Sequence, residues 1–260
     1  MDQYLKFAQT IADKAAITAL KHFSFETGYV WKDDNTPLTE ADTAINEMVI
    51  QSVNDVFPEH SVYGEEASSN VENAKYIWVC DPIDGTMPFS LGLPIFTFSL
   101  ALVDRSDGQP ILGLINDPVQ KNMYWATRGG GSFRNGHPIH VSDVTNLKNT
   151  YVSLDGSQDF GIGIDSVATM RALHAAGART MKLLSVVYGG VQVANGKFVA
   201  SLFFGGHGHD VAALKIITEE AGGKATDLLG ETRRYDTKGT GFVATNGVLH
   251  DEVLSIIAKM

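Results

Sequence analysis

One segment limits this chain more than any other: YIWVCDPIDGTMPFSLGLP, residues 76–94. Its apolar opening, residues 76–79, reads as a buried strand. Directly after it, Asp81 and Asp84 sit three apart in a stretch punctuated by Pro82 and Gly85, which the pattern predicts as a turn. The fold must therefore bring this strand to an edge of the core, where carboxylates can be hydrated, paired or bound to a cation. Met87-Pro88 comes next. A proline is tolerated there only in the first turn of a helix, where its missing N–H has no partner to lose.

The rest of the chain sets outer limits on function. Its 260 residues are long enough for one large core or two fused halves. The apolar runs are interrupted and strand-length, so none is expected to span a bilayer. The first 23 residues have no basic start followed by an apolar block, so they are not expected to be a signal peptide. Leu5, Ala8, Ile11, Ala12, Ala15 and Ala19 instead fall at the spacing of an amphipathic helix. A lone cysteine, Cys80, excludes an internal disulfide and fits a reducing, cytoplasmic setting. The net charge of -10 argues against a nucleic acid polymer as partner. It leaves room for a small anionic substrate if a divalent cation supplies positive charge locally.

Helical and strand patterns interleave along the whole chain, with no linker, repeat or low-complexity segment. Residues 31–42, WKDDNTPLTEAD, form a polar loop running into a helix over residues 39–57, whose start has the Thr39…Asp42 spacing of a capping box. Strands are expected at 96–104, 111–116 and 123–127, with Gly and Pro turns that suggest antiparallel pairing. The second half reads as a strand at 151–154, a helix at 165–176, a strand ending at 184 and a helix at 186–194. A strand at 198–204, a helix over 209–223, a strand at 241–245 and a closing helix complete it. Two halves, residues 1–145 and 146–260, are expected.

Acidic residues where the backbone leaves the core are the candidates for chemistry. They occur in Gly64-Glu65-Glu66, in Asp81-Pro82-Ile83-Asp84-Gly85-Thr86, and at Asp210 ahead of Val211-Ala212-Ala213. Each also has a structural reading: a solvated acidic turn, an Asx-type turn around Pro82, and an acid at a helix N-terminus. Mg²⁺ needs hard oxygen ligands of this type.

The three acidic motifs in this order, with RGGGSFRNGHPIHVS at 128–142 and EEAGG at 219–223, resemble the inositol monophosphatase superfamily over nearly the whole chain. The resemblance implies a five-layer αβαβα sugar-phosphatase fold. It also implies a Mg²⁺-dependent, often lithium-sensitive phosphomonoesterase with two or three ions per site, commonly a homodimer. Residues 1–145 would carry most metal ligands, and 146–260 Asp210 and the substrate side. By the same resemblance Glu65, Asp81, the Ile83 carbonyl, Asp84 and Asp210 would ligate metal, and Thr86 backed by Asp42 would orient the attacking water. Backbone N–H groups of Gly85 and Thr86 would face phosphate, with Lys32 near the metals. Two cations would neutralise the charge on the phosphoryl oxygens and lower the pKa of a bound water.

The departures bear on substrate. His209 stands where many relatives have Trp, and its imidazole could reach substrate. Phe203, seven before Asp210, stands where inositol-specific relatives carry an acid. A phenyl ring accepts no hydrogen bond from a polyol. Ser185 keeps a small hydroxyl residue on the substrate side. The 32–42 loop looks more like histidinol-phosphate and nucleotide phosphatases, so histidinol phosphate, fructose 1,6-bisphosphate and 3′-phosphoadenosine 5′-phosphate stand beside inositol monophosphate. A non-catalytic protein binding a phosphorylated metabolite is the alternative of a different class. The run 129–136 lacks the Lys-Ser/Thr of a Walker motif and reads as a hairpin. No third His or Cys supports His207 and His209 as a transition-metal site.

Overall fold

A computed structural model describes residues 1–25, 27–32, 37–156 and 163–260. Helices α1 (Asp2–His22) and α2 (Glu40–Val56) are separated by a small hairpin of β1 (Val30–Trp31) and β2 (Pro37–Leu38). Next come β3 (Ser61–Gly64), β4 (Ser68–Ser69), β5 (Tyr76–Asp84), the short helix α3 (Thr86–Ser90) and β6 (Thr97–Asp104). A meander follows: β7 (Gln109–Asp117), β8 (Asn122–Thr127), β9 (Gly131–Arg134) and β10 (His137–Pro138). The second half holds β11 (Tyr151–Asp155), α4 (Ser166–Ala175), β12 (Arg179–Met181), α5 (Val186–Ala194) and β13 (Ala200–Phe203). It ends with α6 (Ala212–Glu220), β14 (Lys224–Thr226), β15 (Phe242–Thr245) and α7 (His250–Ile257).

The strands form two main sheets, of order β10-β9-β8-β7-β6-β5-β3-β4 and β12-β11-β13-β15-β14. Among the described residues only the β3–β5 pair is parallel in the larger sheet, so the expected antiparallel middle is present. In the smaller sheet β11 runs parallel to both β12 and β13.

Side-chain alternation along the strands generates the layers. On β5, Trp78 and Cys80 face α1 and α2, packing with Ala8, Ile11, Ala15, Ile45 and Val49. The neighbouring Ile77 and Val79 face the other way, into a core shared with Val187 and Val191 of α5 and Ile216 and Ile217 of α6. Phe242 and Ala244 of β15 close that core from the smaller sheet, while Val243 between them points outward to Leu173 of α4 and Val253 and Ile257 of α7. The result is an αβαβα sandwich of five layers, with α5 and α6 as its centre. Cys80 is fully buried in the outer core, as strand alternation predicts. Among the described residues no helix is long and apolar enough to cross a membrane.

Four expectations shift. The strand read as ending near residue 79 continues to Asp84, and the stretch read as a turn is a β-bulge. Asp81 pairs with Ser99 but Asp84 with Thr97, one residue more than a regular ladder would hold. Pro82, which has no N–H to give, sits inside the irregularity. The strand expected to end at residue 184 stops at Met181, because Leu184 turns into the left-handed region (φ 57°) before Ser185 caps α5. Helix α6 begins at Ala212, leaving Asp210 in the preceding loop and not in a first helical turn. The strand at 198–204 shortens to Ala200–Phe203. The capping box at α2 is present, and the run 129–136 is a hairpin region whose Gly129 and Gly131 N–H groups donate to Glu220. Residues 33–36 of the polar loop lie outside the described residues.

Candidate active site

The bulge at the end of β5 aims two carboxylates in ways that differ sharply. Asp84 is buried and accepts from five donors: the hydroxyls of Thr97 and Ser185 and the N–H groups of Val186, Val187 and Tyr188. Three of these are the open N–H groups at the start of α5, whose helix dipole favours an anion. Asp81 is equally buried, yet its Oδ1 has no hydrogen-bond partner among the described residues. Buried polar atoms in folded proteins are almost always paired, so this one calls for a ligand. Gly85 follows with φ 87°, and a Cβ there would sit 2.7 Å from the Ile95 carbonyl oxygen and 2.9 Å from Ser185 Cβ. Only glycine makes that turn in that space.

Asp42, at the first turn of α2, divides its two oxygens. Oδ2 accepts from the Thr39 N–H (2.9 Å) and hydroxyl (2.5 Å). Oδ1 lies 3.3 Å from Thr86 Oγ1, which is also 3.0 Å from the Ile83 carbonyl. One hydroxyl proton thus serves two acceptors. The Ile83 side chain itself is buried in the outer core. Glu65 and Glu66 follow β3, and Lys32 Nζ lies 2.8 Å from Glu65 and also bonds Glu66. Burial opposes the lysine charge, but the two glutamates more than offset it and raise its pKa. Carboxylate oxygens of Asp42, Glu65 and Glu66 lie within 4.8 Å of one another.

Asp210 lines the same cavity as Glu65 and Asp84 and is acted on by their charges. His209 Nε2 stands 3.7 Å from its Oδ1, and the His209 ring stacks on His207 (centroids 4.9 Å) and tilts against Tyr63. His209 Nδ1 is buried without a hydrogen-bond partner among the described residues. Burial lowers the His209 pKa to about 4, so the ring is neutral near pH 7. The main chain before Asp210 is held by buried Arg233, which donates to the carbonyls of Gly206 and Gly241.

Glu65, Asp81, Ile83, Asp84, Gly85, Thr86, His209, Asp210, Lys32 and Phe203 all line one cavity of about 1120 Å³. Two expected residues stand behind that lining. Asp42 supports Thr86, and Ser185, 1% exposed, spends its hydroxyl on Asp84. Glu66, Asp155, Lys182, Leu184 and Lys238 line the cavity too; of these only Glu66 was singled out in the sequence. Asp155 followed by Gly156 closes an apolar strand just as Asp84-Gly85 does, and that repeated pattern was the signal available.

Crowding sets the electrostatics. Burial first, and then the charges of Glu65, Asp84 and Asp210, push the Asp81 carboxyl well above the usual range. Asp210 rises for the same reasons, against opposing contributions from Arg233 and Lys32. Burial lifts Asp42 to about 7. It lifts Asp84 only to about 6, because the donors around it favour the anion. Acids forced together this way, with one buried oxygen unpaired and a lysine drawn onto two of them, suit a hard cation. The donor set is all oxygen, the class that Mg²⁺, Mn²⁺ and Ca²⁺ prefer.

Known proteins carry the same arrangement of sequence and fold. The sequence profile of the inositol monophosphatase family matches residues 1–260. A histidinol-phosphatase of Mycobacterium tuberculosis is 32% identical over 266 residues, covering 96% of this chain and 96% of that one. A fructose-1,6-bisphosphatase/inositol-1-monophosphatase of Thermotoga maritima is 30% identical over 226 residues, 86% of this chain and 83% of its own. Among solved structures, a Thermotoga maritima IMPase superposes with a TM-score of 0.88 at 28% identity, spanning 100% of this chain and 98% of that one.

Proposed function

Since this chain belongs to the inositol monophosphatase family, we propose that the cavity at the end of β5 is the catalytic site of a Mg²⁺-dependent phosphomonoesterase. The chain is a phosphoric monoester hydrolase acting on a small phosphorylated metabolite, and its family is metal-dependent. The observation that carries the site assignment is the unpaired, buried Asp81 Oδ1 at the centre of an acidic cavity wall.

Glu65, Asp81, the Ile83 carbonyl, Asp84 and Asp210 are the residues that would hold the ions, two or three in number. Bound there, Mg²⁺ supplies charge neutralisation for the phosphoryl oxygens and acidifies water. The chain's own residues do the rest. Thr86 donates its proton toward Asp42 Oδ1, which leaves the Thr86 oxygen free to accept from a water and fix its line of attack. Asp42, raised to about 7 by burial, is poised to take up that proton through Thr86. Water adds to phosphorus as the ester P–O bond breaks, giving the alcohol and inorganic phosphate. Gly85 and Thr86 N–H groups would bind the phosphate, and His209, neutral near pH 7, would form part of the wall on which the alcohol leaves.

Phe203 favours histidinol phosphate over inositol monophosphate as substrate, since its ring offers a polyol no acceptor. The assay is phosphate release from inositol monophosphate, histidinol phosphate, fructose 1,6-bisphosphate and 3′-phosphoadenosine 5′-phosphate. It is run with Mg²⁺, with EDTA and with added Li⁺. Turnover that persists undiminished in EDTA would sink the metal mechanism, and no turnover on any ester would return the chain to a binding role. Sedimentation tests the expected homodimer.

A further inference from the structure

Besides Asp81 Oδ1, two cavity-lining residues carry buried side-chain atoms with no hydrogen-bond partner among the described residues: His209 Nδ1 and Asp155 Oδ2. Asp155 belongs to a different sheet from the acid group on β5, although it is near enough to Asp84 for that charge to act on it through space. It is the last residue of β11, at the carboxyl end of a parallel strand pair, where open sheets of this kind place ligands. The residue is 2% exposed, and its other oxygen, Oδ1, accepts the Leu184 N–H at 2.7 Å. Leu184 has the left-handed backbone (φ 57°) that directs the chain into α5. The N–H groups that follow it, at Val186, Val187 and Tyr188, go to Asp84. One short turn of chain is therefore gripped by two carboxylates. One belongs to the acidic group, and the other lines the same cavity from the end of β11 in the smaller sheet.

We infer that Asp155 is a specificity-determining residue whose second carboxylate oxygen pairs with a cationic nitrogen on the alcohol portion of the substrate. The inference rests on the catalytic reading of this cavity and adds the chemical class of the leaving group. Three features of the structure select a cation. A buried carboxylate needs its charge balanced as well as its lone pairs filled, and a hydroxyl does only the second. Lys182, which lines the same cavity, acts on the Asp155 charge through space, but no ion pair joins the two among the described residues, so the second oxygen still lacks a contact partner. The strand neighbour in register with Asp155 is Phe203, whose ring also lines the cavity. A carboxylate beside an aromatic face suits an aminoalkyl chain better than a polyhydroxylated ring.

Three esters of equal heavy-atom count separate the possibilities: terminal aminopropyl, hydroxypropyl and butyl phosphate. The wild-type protein should prefer the amino ester over both others by about tenfold or more in kcat/KM. Asp155→Asn keeps an acceptor for the Leu184 N–H and replaces the second oxygen with a donor. It should erase that preference by raising KM for the amino ester, while butyl phosphate turnover stays within about twofold. Equal losses on all three esters would mean that Asp155 only positions the 184–188 turn, and would overturn the inference. So would a wild-type protein without the preference. Calorimetry of aminopropanol and propanediol binding to wild-type protein, loaded with Mg²⁺ and phosphate, needs neither turnover nor a folded variant. Tighter binding of the amine by about tenfold supports the pairing, and equal binding overturns it. Failure of the catalytic reading shows separately, as absence of phosphate release from every ester.

Discussion

The cavity has two walls of different construction. The β5 wall is made by one continuous stretch of chain, in which a bulge brings Asp81, Ile83, Asp84 and Thr86 to the lining of one cavity. The wall of the smaller sheet is a composite of strand ends and turns: Asp155 from β11, Leu184 before α5, Phe203 from β13 and His209 from the next loop. A continuous wall keeps its internal geometry whatever its neighbours do, which suits groups that must act on one phosphorus. A composite wall can change one member at a time, which suits groups that choose the alcohol. Variants of the first should therefore lose rate on every ester, and variants of the second should redistribute preference among esters.

The largest test of that contrast is Asp81→Asn. On the proposed reading Asp81 would hold metal, and its loss should lower kcat by about a thousandfold or more on every substrate. The same change removes a buried acid with an unpaired oxygen, so thermal unfolding of the metal-free protein should show equal or higher stability, by about 1 kcal/mol. Asp84→Asn should be as inactive but also less stable, by about 2–4 kcal/mol, because its amide nitrogen must face donors that now lack an acceptor. If the two variants melt alike, the distinction drawn between these aspartates fails.

Thr86→Ala comes next, with an expected loss of about a hundredfold in kcat on all esters and Thr86→Ser largely active. The pH dependence of metal-free stability sharpens the account of the acidic wall. Between the unfolded carboxylate value of about 4 and the native values of about 6 for Asp84 and about 7 for Asp42 and Asp155, the folded protein holds protons that the unfolded chain has released. Stability of the EDTA-treated protein should accordingly fall as pH rises through that window. Added Mg²⁺ should oppose the fall, raising the melting temperature more at pH 8 than at pH 5. The smallest effect belongs to the composite wall. Phe203→Ala should change relative KM values between esters by about threefold to tenfold, with kcat on a simple aryl phosphate nearly unchanged.

The two walls also differed in how far the sequence disclosed them. Asp81, Asp84, Gly85 and Thr86 stand close together after an apolar strand, so local chemistry and family resemblance both pointed to them. The capping box at Thr39 and Asp42 is likewise a local pattern, and its second role toward Thr86 follows from a carboxylate having two oxygens. The bulge was hidden because Pro82 supports a turn as readily as an irregular ladder. Asp155 was hidden for a topological reason. Its place beside Phe203 depends on β11 and β13 being parallel neighbours, and its grip on Leu184 joins residues 29 apart in sequence. The positive φ of Leu184, which ends β12 early, has no signal in a leucine.

Asp84 carries a consequence for how relatives of this chain are to be judged. Its carboxylate ties the end of β5, in the larger sheet, to the first turn of α5 in the central layer, so the two halves are registered against each other through it. A descendant that had abandoned catalysis would still need that joint, and would keep Asp84 for its architecture alone. Asp81 Oδ1 has no hydrogen-bond partner among the described residues, so on the proposed reading Asp81 is the sharper marker for telling a working phosphatase from a fold that has outlived its chemistry.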